Sequence, residues 1–184
     1  MFLDKKKLII LIVFALLCSF GAYKIFPKAF PILNISLDMS RNDALFKAQQ
    51  LSEKFNLGPE DNFQAATFGV DGYAQNYIEL DAGGSSEFIN ILDKKYYEAY
   101  TWKVRHYKPG NVNEAWFQFT PEGNLYGFYE KLSDDLFLES LSENDSRQLA
   151  ELQSVENWNV DLSNYDLIET QEDLKPSNRL DYTF

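Results

Sequence analysis

The sequence predicts an α+β fold, in which an N-terminal transmembrane helix precedes tandem helix-on-antiparallel-sheet units. Three observations carry that prediction. Lys5, Lys6 and Lys7 stand before an uncharged apolar run over residues 8–23, which opens at Leu8 and closes at Tyr23. Residues 100–106 alternate, with apolar or aromatic side chains at Trp102, Val104 and His106 and polar ones between, the period of a strand with one buried face. A serine-led helix start occurs twice, at Ser40-Arg41-Asn42-Asp43 and at Ser142-Glu143-Asn144-Asp145, 102 residues apart.

At about 1.5 Å per residue, residues 8–23 span roughly 24 Å of a hydrocarbon core about 30 Å thick. Lys24 can snorkel, so Ile25 and Phe26 extend the run, and Pro27 is expected to end the helix. Two readings follow: a retained anchor, or a secretory signal cleaved after a small-x-small site at Ser19-Phe20-Gly21. Leu17 stands where a small residue would precede a lipid-modified cysteine, so Cys18 reads as an apolar helix residue. The lysines favour the cytoplasmic side, which places the rest of the chain outside the cell membrane as a single-pass, extracytoplasmic domain.

Residues 1–30 hold five lysines and one aspartate, a balance of +4 that leaves −15 of the total −11 on the other 154 residues. So acidic a surface disfavours nucleic acid as a partner and is repelled by anionic headgroups. The bilayer, through the first helix, and an extended peptide or protein are the partners the sequence admits. Aromatic residues make up 16% of the chain, much of it in alternating runs, as a well-packed sheet requires.

Residues 31–39 read as an extended connector. The first α+β unit covers residues 40–132. Its helix starts at Ser40, carries Ala44, Ala48, Leu51 and Phe55 at helical spacing, and stops at Gly58-Pro59. Strands are expected at residues 63–70 and 74–80 around an Asp71-Gly72 turn, then a short helix capped in the Gly83-Gly84-Ser85-Ser86 stretch, with Phe88, Ile91, Leu92 and Lys95 on one face. Strands over residues 100–106, 115–120 and 125–130, parted by turns at 108–111 and 120–124, form an antiparallel meander. The second unit, residues 133–184, repeats the helix, with Asn164-Tyr165 matching Asn62-Phe63 at the same offset, and is expected to stop before its sheet closes.

The chain offers little chemistry. With one histidine and one cysteine it cannot supply a zinc site, and no phosphate loop, EF-hand or nucleophile elbow is present, so neither cofactor nor catalytic residue is predicted. Asp134-Asp135 and residues 169–173 read as solvated loops, with weak calcium binding the alternative. His106 reads as a partly buried sheet residue, the alternative being a pH sensor. Lys103, Arg105 and His106 are the candidate ligand face, and Lys5, Lys6, Lys7, Leu8 and Tyr23 mark the anchor.

Tyr100-Thr101-Trp102-Lys103-Val104-Arg105, the stretch from Phe117 through Thr120-Pro121-Glu122-Gly123-Asn124 to Phe128, and Arg179-Leu180-Asp181-Tyr182-Thr183-Phe184 together resemble the extracytoplasmic region of CPBP-family (CAAX protease and bacteriocin-processing) intramembrane proteases. The resemblance covers most of residues 40–184 and accommodates the anchor; Thr120 stands where the family has an aspartate. It implies cystatin-like or PepSY-like units and an accessory role, recruiting or gating substrate. The family's E-E-x-x-x-R and F-x-x-x-H motifs are absent from these residues, so the resemblance puts a catalytic core beyond Phe184. A free-standing exported peptide-binding or inhibitory module and a sensor ectodomain are the alternatives.

Overall fold

The computed structural model describes residues 5–184, which form an α+β protein. They cluster into two compact units, residues 5–37 with 69–101, and residues 38–68 with 102–184.

The first unit opens with α1, Lys5–Ala29, the one described helix long and apolar enough to cross a membrane. Its window Lys5–Pro27 is 23 residues long and none of it is buried. Pro27 does not end the helix as expected. Its missing N–H removes one bond, but Phe30 N–H closes the last turn onto the Phe26 carbonyl at 3.1 Å. A 3-10 turn at Pro31–Asn34 then occupies part of the predicted extended connector.

Residues 74–80, expected as a strand, lie in helix α3, Gly72–Asp81. Asp71 is the reason. Its Oδ1 accepts from the Tyr73 and Ala74 amides at 3.0 and 3.1 Å, an N-cap rather than a hairpin turn. Ala74, Ile78 and Ala82, four apart, then fall on one half-buried face. Helix α4, Ser85–Asp93, follows where predicted and buries Phe88 completely. Its N-cap is Gly84 at φ 81°, with no side-chain cap from the serines, and Lys95 lies beyond its end.

The second unit holds the main core. Its first helix, α2, spans Arg41–Phe55 and starts with the predicted capping box: Ser40 Oγ accepts from Asp43 N–H at 3.2 Å, and Asp43 Oδ2 accepts from Ser40 N–H at 3.0 Å. Ala44 and Ala48 are fully buried where the helix packs on the sheet, as their small size allows.

That sheet runs β1 (Phe63–Val70), β2 (Tyr100–Tyr107), β3 (Glu114–Phe119), β4 (Leu125–Lys131), in that spatial order. The meander expected for β2, β3 and β4 is present and antiparallel, with Val104 opposite Phe117 and Phe117 opposite Phe128. Ring contacts of Phe63 with Tyr107 and of Phe68 with Trp102 show β1 antiparallel to β2. Alternation puts Trp102, Val104, Ala115, Phe117 and Phe119 against α2, a core that Leu45, Leu51, Leu57, Phe68 and Phe128 extend. Trp102 Nε1 donates to the Met39 carbonyl at 3.1 Å, satisfying the one polar atom that indole brings inside.

The echo predicted for the second half is present. Helix α5, Glu143–Trp158, is capped by Ser142 Oγ accepting from Asp145 N–H at 3.2 Å. Both helices end on an asparagine in the left-handed region, Asn56 and Asn159, each at φ 54°. Ser52 Oγ donates to the Leu57 carbonyl at 2.6 Å and Ser154 Oγ to the Val160 carbonyl at 2.8 Å. Asn62 Nδ2 donates to the Pro59 carbonyl and Asn164 Nδ2 to the Asp161 carbonyl, both at 3.2 Å. Four local features thus recur at an offset of 102 or 103 residues, which is an internal repeat. The strand after the second copy differs: Tyr165 follows a 3-10 turn at Leu162–Asn164, and pairing begins later, between β5 (Gln171–Leu174) and β6 (Leu180–Thr183).

Candidate functional site

Because side chains alternate along β2, the three predicted ligand-face residues do not share a face. Lys103 and Arg105 point to the outer face of the sheet, whereas His106 points inward with no exposed surface. The burial is complete where the sequence suggested a partly buried sheet residue. Its ring lies 5.0 Å from that of Phe117, and neither ring nitrogen has a hydrogen-bond partner. Burial holds its pKa below the usual imidazole value. Gly58 permits this packing: at φ 82°, a Cβ there would meet Ala115 Cβ at 3.1 Å and His106 Cβ at 3.6 Å.

On the outer face, Arg105 forms a bidentate pair with Glu114 of β3, its Nε donating to Oε2 at 2.8 Å and its Nη2 to Oε1. The guanidinium also lies 4.6 Å from the Tyr107 ring centre and 5.4 Å from that of Trp116. Trp116 sits opposite both Arg105 and Tyr129, and the two rings stack at 6.1 Å and 10°. The hydrogen bond from Arg105 holds the Glu114 carboxylate below its usual pKa, and the same bond raises Arg105. Burial pushes the Tyr129 hydroxyl up.

Glu114, Trp116 and Tyr129 therefore complete a face of which the sequence indicated only Lys103 and Arg105. Their own alternation was legible; their adjacency depends on strand register. The charge of Arg105 is largely spent on Glu114, so the face offers flat aromatic surface with an attached ion pair. Such a surface can stack on planar or apolar groups. It holds no nucleophile with an adjacent base, and the described residues contain no cluster of three or more metal-ligating side chains.

A concavity of about 500 Å³ lies beside α5, between Ala150, Leu162, Tyr165, Ile168 and Phe184. Its walls carry Arg147 and three carboxylates, Glu151, Asp166 and Glu169, with Arg147 Nε bonded to Glu151 at 2.9 Å.

The anchor residues Lys5, Lys6, Lys7, Leu8 and Tyr23 all lie on α1 with exposed side chains. No family model matches this chain, no curated protein matches it, and no solved structure matches it. The fold and geometry thus define a class only: an α+β protein with an apolar N-terminal helix and an aromatic sheet face.

Proposed function

We propose that this protein is a membrane-tethered, extracytoplasmic recognition domain that recruits or gates an extended polypeptide substrate for a CPBP-like intramembrane protease. The observation that supports it best is α1: a helix whose apolar side chains stay exposed needs another apolar phase, and a bilayer supplies it. The lysines at its start favour the cytoplasmic side and leave the acidic remainder outside. Main-chain hydrogen bonding at an open strand edge would capture an extended segment largely independently of sequence, with side-chain pockets giving selectivity. The protease partner rests on the sequence resemblance, and the units would have the cystatin-like or PepSY-like form that it implies.

The test is a C-terminally tagged chain in spheroplasts, fractionated and treated with external protease. A full-length, membrane-bound band digested from outside is expected. A shorter, soluble band would show cleavage of the leader and replace the tether with an exported, free-standing module.

A further inference from the structure

Helix α3 half-buries one side, Ala74, Ile78 and Ala82, and leaves another bare. On the bare side Tyr73, Tyr77 and Leu80 follow each other at steps of four and three residues, and they are 92%, 64% and 81% exposed. The exposed positions from Gly72 to Leu80 are Gly72, Tyr73, Asn76, Tyr77 and Leu80, and none is charged. Residues 31–184 carry a balance of −15, so an uncharged, aromatic helix side is an exception on this surface.

Packing inside the first unit ties this helix to α1. Helix α3 packs on α4, and α4 packs both on α1 and on the 3-10 turn Pro31–Asn34. The 23 residues of the apolar window end at Pro27. At about 1.5 Å per residue they reach roughly 35 Å, enough to cross a hydrocarbon core of about 30 Å and bring the turn out at headgroup level. The chain stays uncharged from Ala29 to Leu37, with Phe30, Ile32 and Leu33 exposed. Beyond α4, Tyr96 is exposed too, with Lys94 Nζ 5.6 Å from its ring centre. Tyrosine and lysine are the side chains that membrane proteins place at this level.

We propose that α3 is an interfacial helix, whose Tyr73, Tyr77 and Leu80 side lies in the headgroup zone of the bilayer that α1 crosses. A tyrosine suits that zone because its ring partitions among acyl carbons while its hydroxyl stays with water and headgroups. With no charge on the inserted side, the contact draws on apolar burial and needs no anionic lipid. That agrees with the repulsion between anionic headgroups and the acidic remainder of the chain. The first unit is then held at the membrane by two contacts instead of one. This inference rests on the tether in the recognition reading above and adds a second lipid-binding surface to it.

The test uses the full chain in phosphatidylcholine vesicles, with a polarity-sensitive fluorophore on single cysteines and lipids carrying a nitroxide at the headgroup or along the acyl chain. In a Cys18→Ser background, Tyr73→Cys, Tyr77→Cys and Leu80→Cys put the fluorophore on the bare side of α3, and Gln75→Cys and Glu79→Cys put it on the other side. The three bare positions are so exposed that these variants should keep the wild-type melting temperature. Headgroup and shallow nitroxides should quench the bare side about twofold or more over the other, because interfacial helices sit about 5–10 Å into the headgroup–acyl boundary. The native Cys18, labelled alone, reports on α1 and should be quenched by deep nitroxides. Quenching at Cys18 with none on the bare side of α3 would overturn the interfacial helix and leave the tether standing. If Cys18 is not quenched either, both fall. Equal quenching around α3 would overturn the assigned face. A blue shift at Tyr77→Cys without lipid quenching, lost in vesicles that hold single chains, would make a second copy the cover and overturn the proposal.

Discussion

A guanidinium titration of the full chain at several pH values, with and without His106→Leu, isolates the cost of the buried imidazole. His106 has no exposed surface, no hydrogen-bond partner at either nitrogen, and the Phe117 ring at 5.0 Å. Burial lowers its pKa in the folded chain, whereas the unfolded chain should titrate near the ordinary value of about 6.5. Above that value neither state holds the extra proton, and stability should not depend on this group. Below it the unfolded chain binds a proton that the native chain refuses, so stability falls as pH falls. The slope approaches about 1.4 kcal/mol per pH unit and persists until pH meets the folded pKa. The loss therefore accumulates through the window between the unfolded and the folded pKa, against a stability of about 5–15 kcal/mol. The carboxylates Asp43 and Glu114 are held low by hydrogen bonds from Ser40 and Arg105, so their contributions disappear only at more acid pH. Tryptophan fluorescence, with Trp102 and Trp116 in the sheet, reports the transition. In His106→Leu the slope in this window should vanish. At neutral pH the variant should be no less stable than wild type, because it removes unpartnered polar atoms whose burial costs about 1–3 kcal/mol. Parallel pH curves for the two proteins would refute the reasoning.

Two further outcomes follow from the repeat. Ser40→Ala and Ser142→Ala each remove an N-cap of the same geometry, so each should cost about 1 kcal/mol by chemical denaturation, and unequal losses would show that only one helix belongs to the cooperative fold. Ala48→Leu adds volume where α2 packs on the sheet and should cost about 1–3 kcal/mol, whereas Ala150→Leu, beside the open concavity, should change stability by less than about 0.5 kcal/mol. Equal costs at the two sites would mean that the C-terminal repeat is already as tightly covered as the first.

Much of this protein is determined locally and was legible in its residues. Lysines before an uncharged run give an apolar helix whatever follows, and Ser40 with Asp43 closes a capping box by contacts three residues apart. Alternation over β2, with Pro-Gly and Glu-Gly turns before and after β3, gives an antiparallel meander, because each signal lies within a few residues of what it shapes. The same alternation already assigned His106 to the face of Trp102 and Val104. Residues 74–80 form a helix where a strand is expected, because Asp71-Gly72 suits a helix cap as well as a hairpin turn. The spacing of Ala74, Ile78 and Ala82 was the signal that would have separated them. Tertiary structure alone decided what depends on pairing across distance: that Arg105 is neutralised by Glu114, that Trp116 stacks on Tyr129, and that β1 adds to the far edge of β2. It also decided that two helices with matching caps end in different surroundings, one packed on β3 and one against β4. Caps and turns are set by neighbours in sequence. Which side chains meet across a sheet depends on register and long-range packing, which no local pattern encodes.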